Sequence, residues 1–147
     1  MTRTDCTRLI LETISQKKIT YLEISEKVGR HIVWTTLALH GQASMDADEA
    51  AKTAEILELG KDVELALQEY PERGSLPTMP PTDPTFYRFY ELIMVYGTTL
   101  KALINEKFGD GIMSAIDFTM DIDRVENPAG DRVKITMEGK FLPYKKW

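Results

Sequence analysis

The sequence predicts a mostly α protein with a small β part, an N-terminal helical bundle followed by a C-terminal α+β domain. Three observations carry that expectation. Apolar residues recur at helical spacing between short turn signals in the first half, a run of prolines interrupts the chain, and beyond residue 118 apolar and polar residues alternate. The composition, 147 residues with 43% apolar and 28% charged, excludes disordered, collagen-like and repeat classes.

The first predicted helix covers residues 8–16, where Leu9, Ile10, Leu11 and Ile14 fall at helical spacing. Thr20 opens a second helix with Glu23 three residues on, a reciprocal capping pair, and Gly29 supplies its left-handed stop. A third covers 32–39 and stops at Gly41. A fourth starts at Asp46 with Glu49 as the reciprocal cap and ends at Gly60, and a fifth runs from Asp62 to about Tyr70. The second and third helices, with Gly29 between them, have the lengths of a repressor-like helix-turn-helix. Their chemistry argues against DNA: residues 31–40 carry no formal charge, so only Arg30, Thr35 and Thr36 are available to touch a duplex. His31 and His40 have no Cys or carboxylate cluster at ligand spacing and read as surface or packing residues.

Five of the seven prolines, Pro71, Pro77, Pro80, Pro81 and Pro84, fall between Tyr70 and Thr85 and forbid a continuous helix or central strand there. The predicted domains are therefore residues 1–75 and 76–147. Up to Ser75 there are 9 basic and 13 acidic residues and beyond it 9 and 10, so neither half is a basic nucleic-acid module.

Asp83 as cap and Pro84 at the first helical position open the next helix. From Pro84 to Leu100 only Arg88 and Glu91 are charged, while Phe86, Tyr87, Phe89, Tyr90, Leu92, Ile93, Met94, Val95 and Tyr96 cover every face. A helix apolar all round must be buried all round, and so small a chain cannot enclose it alone. The expectation is an obligate oligomer with Arg88 and Glu91, one helical turn apart, at or near an interface. Two readings of that pair stay open: a structural ion pair fixing assembly geometry, and a polar cavity in which a permanently charged Arg88 attracts anions.

Gly97 is expected to break this helix, with a further helix at 98–108. Gly109, Asp110 and Gly111 then turn the chain into the run 112–116, where Ser114 is the only hydroxyl. With no nearby His, Ser114 reads as a hydrogen-bond donor and not as a nucleophile. The alternation of Phe118, Met120 and Ile122, then of Val133, Ile135 and Met137, with turns at 127–130 and at Glu138-Gly139, predicts three short antiparallel strands, the last at 140–144. Their exposed edges invite a partner strand, hence dimerisation through this part.

The single cysteine, Cys6, allows no internal disulfide and sits where a terminus is expected to fray. The net charge of −5 disfavours polyanion binding. With no apolar run suited to a membrane span or a secretory leader, the expected location is the cytoplasm, with no membrane partner.

Four blocks carry a family resemblance: Asp83-Pro84-Thr85-Phe86-Tyr87-Arg88-Phe89-Tyr90-Glu91, Tyr96-Gly97-Thr98-Thr99-Leu100-Lys101-Ala102, Gly109-Asp110-Gly111-Ile112-Met113-Ser114-Ala115-Ile116-Asp117-Phe118 and Gly139-Lys140-Phe141-Leu142-Pro143-Tyr144. With their spacing, from Arg73 to the C-terminus, they resemble cyanase, also called cyanate hydratase or cyanate lyase. The helical half matches more loosely, as a repressor-like domain not thought to read DNA. The resemblance implies bicarbonate-dependent decomposition of cyanate to ammonia and carbon dioxide through carbamate, serving cyanate detoxification and nitrogen release. It implies Arg88, Glu91 and Ser114 as the catalytic residues, bicarbonate as co-substrate, and no metal or organic cofactor. It also implies a decamer of five dimers with interlocked C-terminal strands and shared sites, which makes the second domain one for dimerisation and catalysis. Two competitors remain, a repressor-like regulator with a small-ligand C-terminal domain and a purely structural oligomer.

Overall fold

The computed structural model describes Met1–Trp147, and the chain divides into two compact units, Met1–Ser75 and Leu76–Trp147. In order the elements are α1 (Arg3–Lys17), α2 (Tyr21–Val28), α3 (Ile32–Leu39), α4 (Ala47–Leu57), α5 (Lys61–Leu67), α6 (Pro84–Phe108), β1 (Gly111–Val125) and β2 (Arg132–Pro143).

The first unit holds a core that closes on itself. Cys6 and Ile10 of α1, Ile24 and Val28 of α2, Ala38 and Leu39 of α3, Leu57 of α4 and Val63 and Leu67 of α5 are all buried in one cluster. Both predicted capping boxes form. The Thr20 hydroxyl accepts from the Glu23 amide at 3.2 Å while the Glu23 carboxylate accepts from the Thr20 amide at 2.7 Å, and Asp46 and Glu49 repeat the exchange at 2.9 and 2.8 Å. Gly29 takes φ 80° and ends α2 as expected.

Three boundaries in this unit differ from the sequence reading. Helix α1 begins at Arg3, not at residue 8, because Thr2 caps the Asp5 amide and the Arg3 guanidinium bonds the Ala38 and Ala43 carbonyls. Cys6 is consequently fully buried rather than frayed, and burial pushes its thiol pKa up, the opposite of an activated nucleophile. Helix α4 stops at Leu57 with Glu58 in the left-handed region, so Gly60 caps the start of α5 instead of ending α4. Helix α5 ends at Leu67, short of Tyr70.

Two of the three helix-turn-helix residues available to touch a duplex have partners or burial within the unit. Thr35 is fully buried, and Arg30 pairs with Glu49 and lies 5.7 Å over the Trp34 ring. His31 caps α3 by accepting from the Val33 amide, and His40 shares a 3.0 Å hydrogen bond with the Tyr21 hydroxyl.

The second unit is built differently. Asp83 accepts from the Thr85 and Phe86 amides at 2.8 and 3.1 Å, Pro84 follows, and α6 then runs 25 residues to Gly109, whose φ is 94°. It passes through Gly97 without a break. A lone helical glycine costs only about 1 kcal/mol relative to alanine, which a long helix capped at both ends tolerates. Strands β1 and β2 form one antiparallel hairpin around the turn at 126–131. The three predicted strands are thus two. Residues 112–116 join the alternating stretch in β1, and Gly139 lies inside β2, in register with Phe118, rather than in a turn. No residue of α6 is buried, and from Thr82 onward Ser114 is the only buried residue.

Candidate active site

All three residues singled out from the sequence lie in the second unit. Arg88 and Glu91 project from the same side of α6, and Arg88 Nη1 stands 3.9 Å from Glu91 Oε2. That is an ion pair too long for a hydrogen bond, so the guanidinium keeps its donors free for another acceptor. The two side chains are 69% and 48% exposed in the chain by itself. Around them α6 presents Phe86, Phe89 and Leu92, each about half exposed, so the single cation sits in an apolar stretch of surface.

Ser114 is set differently. The β1–β2 register pairs Met113 with Phe141 and then Phe118 with Gly139, so residues 114–117 face Lys140 alone in a wide bulge. Inside that bulge the Ser114 Oγ accepts from the Ile116 and Asp117 amides, both at 3.0 Å. Two N–H donors occupy the two lone pairs of the hydroxyl, leaving it only its proton to offer. The expectation of a hydrogen-bond donor thus acquires a geometric cause. Ser114 is 5% exposed, and its hydroxyl bonds the two amides rather than Arg88 or Glu91, so the single chain joins the first two residues and leaves the third apart.

Sequence reasoning missed the residues that shape the bulge. Gly139 lies against the Ser114 carbonyl and Met113, and Lys140 Nζ stands 4.0 Å from Asp117 Oδ2 across its mouth. The Glu138-Gly139 pair suggested a turn because glycine signals both a turn and a close backbone approach, and only the register separates the two. A concavity of about 770 Å³ lies elsewhere, in the first unit among Arg3, Thr7, His40, Gln42 and Tyr70. Its cations are already engaged, Arg3 with backbone carbonyls and Arg8 with Asp5 and Glu12, so we assign it no chemistry. No three His, Cys, Asp or Glu side chains come together where they could hold a metal ion, and no helix is long and apolar enough to cross a membrane.

Comparison with known proteins decides the family. Residues 3–71 match the family described as "Cyanate hydratase, N-terminal" and residues 78–146 the "Cyanate lyase C-terminal domain". The chain belongs to the cyanate hydratase family. The cyanate hydratase of Cupriavidus necator is 55% identical over 145 residues, 99% of each chain, and that of Parasynechococcus marenigrum is 50% identical over the full length of both. The crystal structure of cyanase from T. urticae superposes with a TM-score of 0.80 at 37% identity, covering 95% of this chain and 97% of that one. A helical N-terminal part with an α+β C-terminal part is therefore the cyanase fold, here as in that structure.

Proposed function

We propose that this chain decomposes cyanate with bicarbonate as the second substrate, and that Arg88, Glu91 and Ser114 carry the reaction. Membership of the cyanate hydratase family makes it an enzyme, a lyase that degrades cyanate. The observation that carries the finer reading is the pairing of a guanidinium with free donors and a hydroxyl restricted to donating, the guanidinium lying in a stretch, residues 84–100, whose only other charge is Glu91. Groups that give hydrogen bonds and cannot accept them suit small anions.

Cyanate and bicarbonate repel each other in water, and holding both against Arg88 and Ser114 turns their encounter into a positioned one. A bicarbonate oxygen attacks the cyanate carbon, forming a C–O bond as a carbon–nitrogen π pair moves onto nitrogen, which takes a proton. Arg88 and Ser114 stabilise the charge shifting onto the cyanate fragment. The mixed anhydride loses carbon dioxide to leave carbamate, and carbamate, protonated on nitrogen, loses a second carbon dioxide and releases ammonia. The sum consumes one cyanate, one bicarbonate and two protons. Glu91 orients Arg88 and influences proton delivery. Nothing is oxidised or reduced in these steps, and we propose that neither a metal nor an organic cofactor takes part.

The Ser114 hydroxyl bonds the Ile116 and Asp117 amides and not Arg88 within one chain, which supports sites completed between copies; we propose a decamer of five dimers with interlocked C-terminal strands. With Thr35 fully buried and Arg30 paired with Glu49, we propose no nucleic-acid partner. The test is ammonia release from cyanate by the purified chain, with dissolved carbonate present and then stripped out. Release that stops without bicarbonate is expected. A folded sample that releases none overturns the activity, and undiminished release without bicarbonate overturns the co-substrate.

A further inference from the structure

The bulge that holds Ser114 is unusual in size and in what closes it. Four residues, 114–117, stand opposite one, whereas an ordinary bulge sets two against one. Ala115, Ile116 and Asp117 are exposed and Ser114 is not, so the loop wraps its own serine side chain. The Ile116 and Asp117 amides hold it there.

On the facing strand, Gly139 occupies a place from which a side chain would strike this arrangement. A Cβ added there overlaps the Ser114 carbonyl oxygen and comes within 2.6 Å of Met113 Cγ. The methionine can swing away, but the oxygen is backbone and cannot, so a methyl group at 139 has to displace the bulge. Beside it, Lys140, the one residue opposite the bulge, pairs with Asp117 at 4.0 Å, and Asp117 supplies one of the two amides on the Ser114 hydroxyl.

We infer that Gly139 and Asp117 are positioning residues for the Ser114 hydroxyl, fixing where its proton points and hence how the site grips a small linear anion. This rests on the functional reading above. Gly139 acts by letting the two backbones meet, and Asp117 by holding the bulge to β2 through Lys140. Neither touches the substrate. Because both amides donate into the same oxygen, they also polarise the hydroxyl and strengthen it as a donor.

The test is a double-mutant cycle read by binding, using azide, a linear triatomic anion isoelectronic with cyanate, in calorimetric titrations of the assembled protein. Gly139→Ala is expected to weaken azide binding by about tenfold, since a displacement of the order of 1 Å suffices for such losses. In the Ser114→Ala background the same change is expected to alter affinity by less than about twofold, because the group it positions has gone. Equal weakening in both backgrounds, or none with Ser114 present, overturns the inference. If Gly139→Ala does not fold, Asp117→Asn runs the same cycle; it keeps the amide, removes the charge, and is expected to cost about threefold only when Ser114 is present. Wild-type protein that binds azide but releases no ammonia from cyanate defeats the functional reading instead, which keeps the two failures apart.

Discussion

In the proposed reaction, Ser114 and Arg88 approach the same task by opposite means. Arg88 is charged in any surroundings and needs only a neighbour that does not saturate it, which Glu91 at 3.9 Å provides. Ser114 is neutral and becomes a committed donor only because two amides fill its acceptor positions. Ser114→Ala is therefore expected to lower turnover by about 10²–10³-fold, the range for loss of one donor that stabilises developing charge, and Arg88→Leu to abolish it. Steady-state ammonia release checks both, and turnover within a few-fold of wild type in either variant rejects the assigned role. At this scale the sequence was legible where chemistry is local: an arginine in a nearly charge-free helix announces itself. The state of a serine's lone pairs does not, because it depends on backbone atoms whose positions follow from strand register.

The elements of the first unit were readable because their ends are written in short-range code. Thr20 with Glu23 and Asp46 with Glu49 satisfy backbone donors three residues away, so spacing alone locates them. The Glu23 carboxyl is held below the ordinary range chiefly by the Thr20 amide and then by the Thr20 hydroxyl. A carboxyl whose pKa is lower folded than unfolded adds stability above the unfolded value and loses it as pH falls through the folded one. The melting-temperature gap between wild type and Glu23→Ala at neutral pH should thus close as pH falls below the ordinary glutamate range; a gap that persists rejects the linkage. Elements set by long-range packing misled the spacing rules. Helix α1 gains its first turn from carbonyls of Ala38 and Ala43, whereas α6, a different case, continues through Gly97 because a lone helical glycine costs only about 1 kcal/mol.

Over the whole molecule, the two units differ in self-sufficiency. The first has a closed core, whereas the second exposes Ile93, Val95 and Tyr96 of α6 at 55–61% and Val133 and Met137 of β2 at still comparable or higher levels. The chain's accessible surface is 11074 Å². Two separate globules of half its mass would together expose about 9,200 Å², so the excess is about 1,900 Å², more than the roughly 800 Å² that one partner buries in a standard interface. Val95→Asp is accordingly expected to reduce the solution mass seen by light scattering and to abolish ammonia release together; a full-size, fully active variant would contradict assembly through α6. By itself the sequence determined the helical first half, the helix too apolar for one chain, and the identity of the charged pair, since each is encoded in composition and spacing over a few residues. Only the tertiary structure decided that β1 and β2 form one hairpin, that residues 114–117 bulge from it, and that Gly139 is a point of close approach. Those depend on which backbones meet, and a pairing between residues as distant as Gly111 and Pro143 leaves no periodic trace in either segment alone.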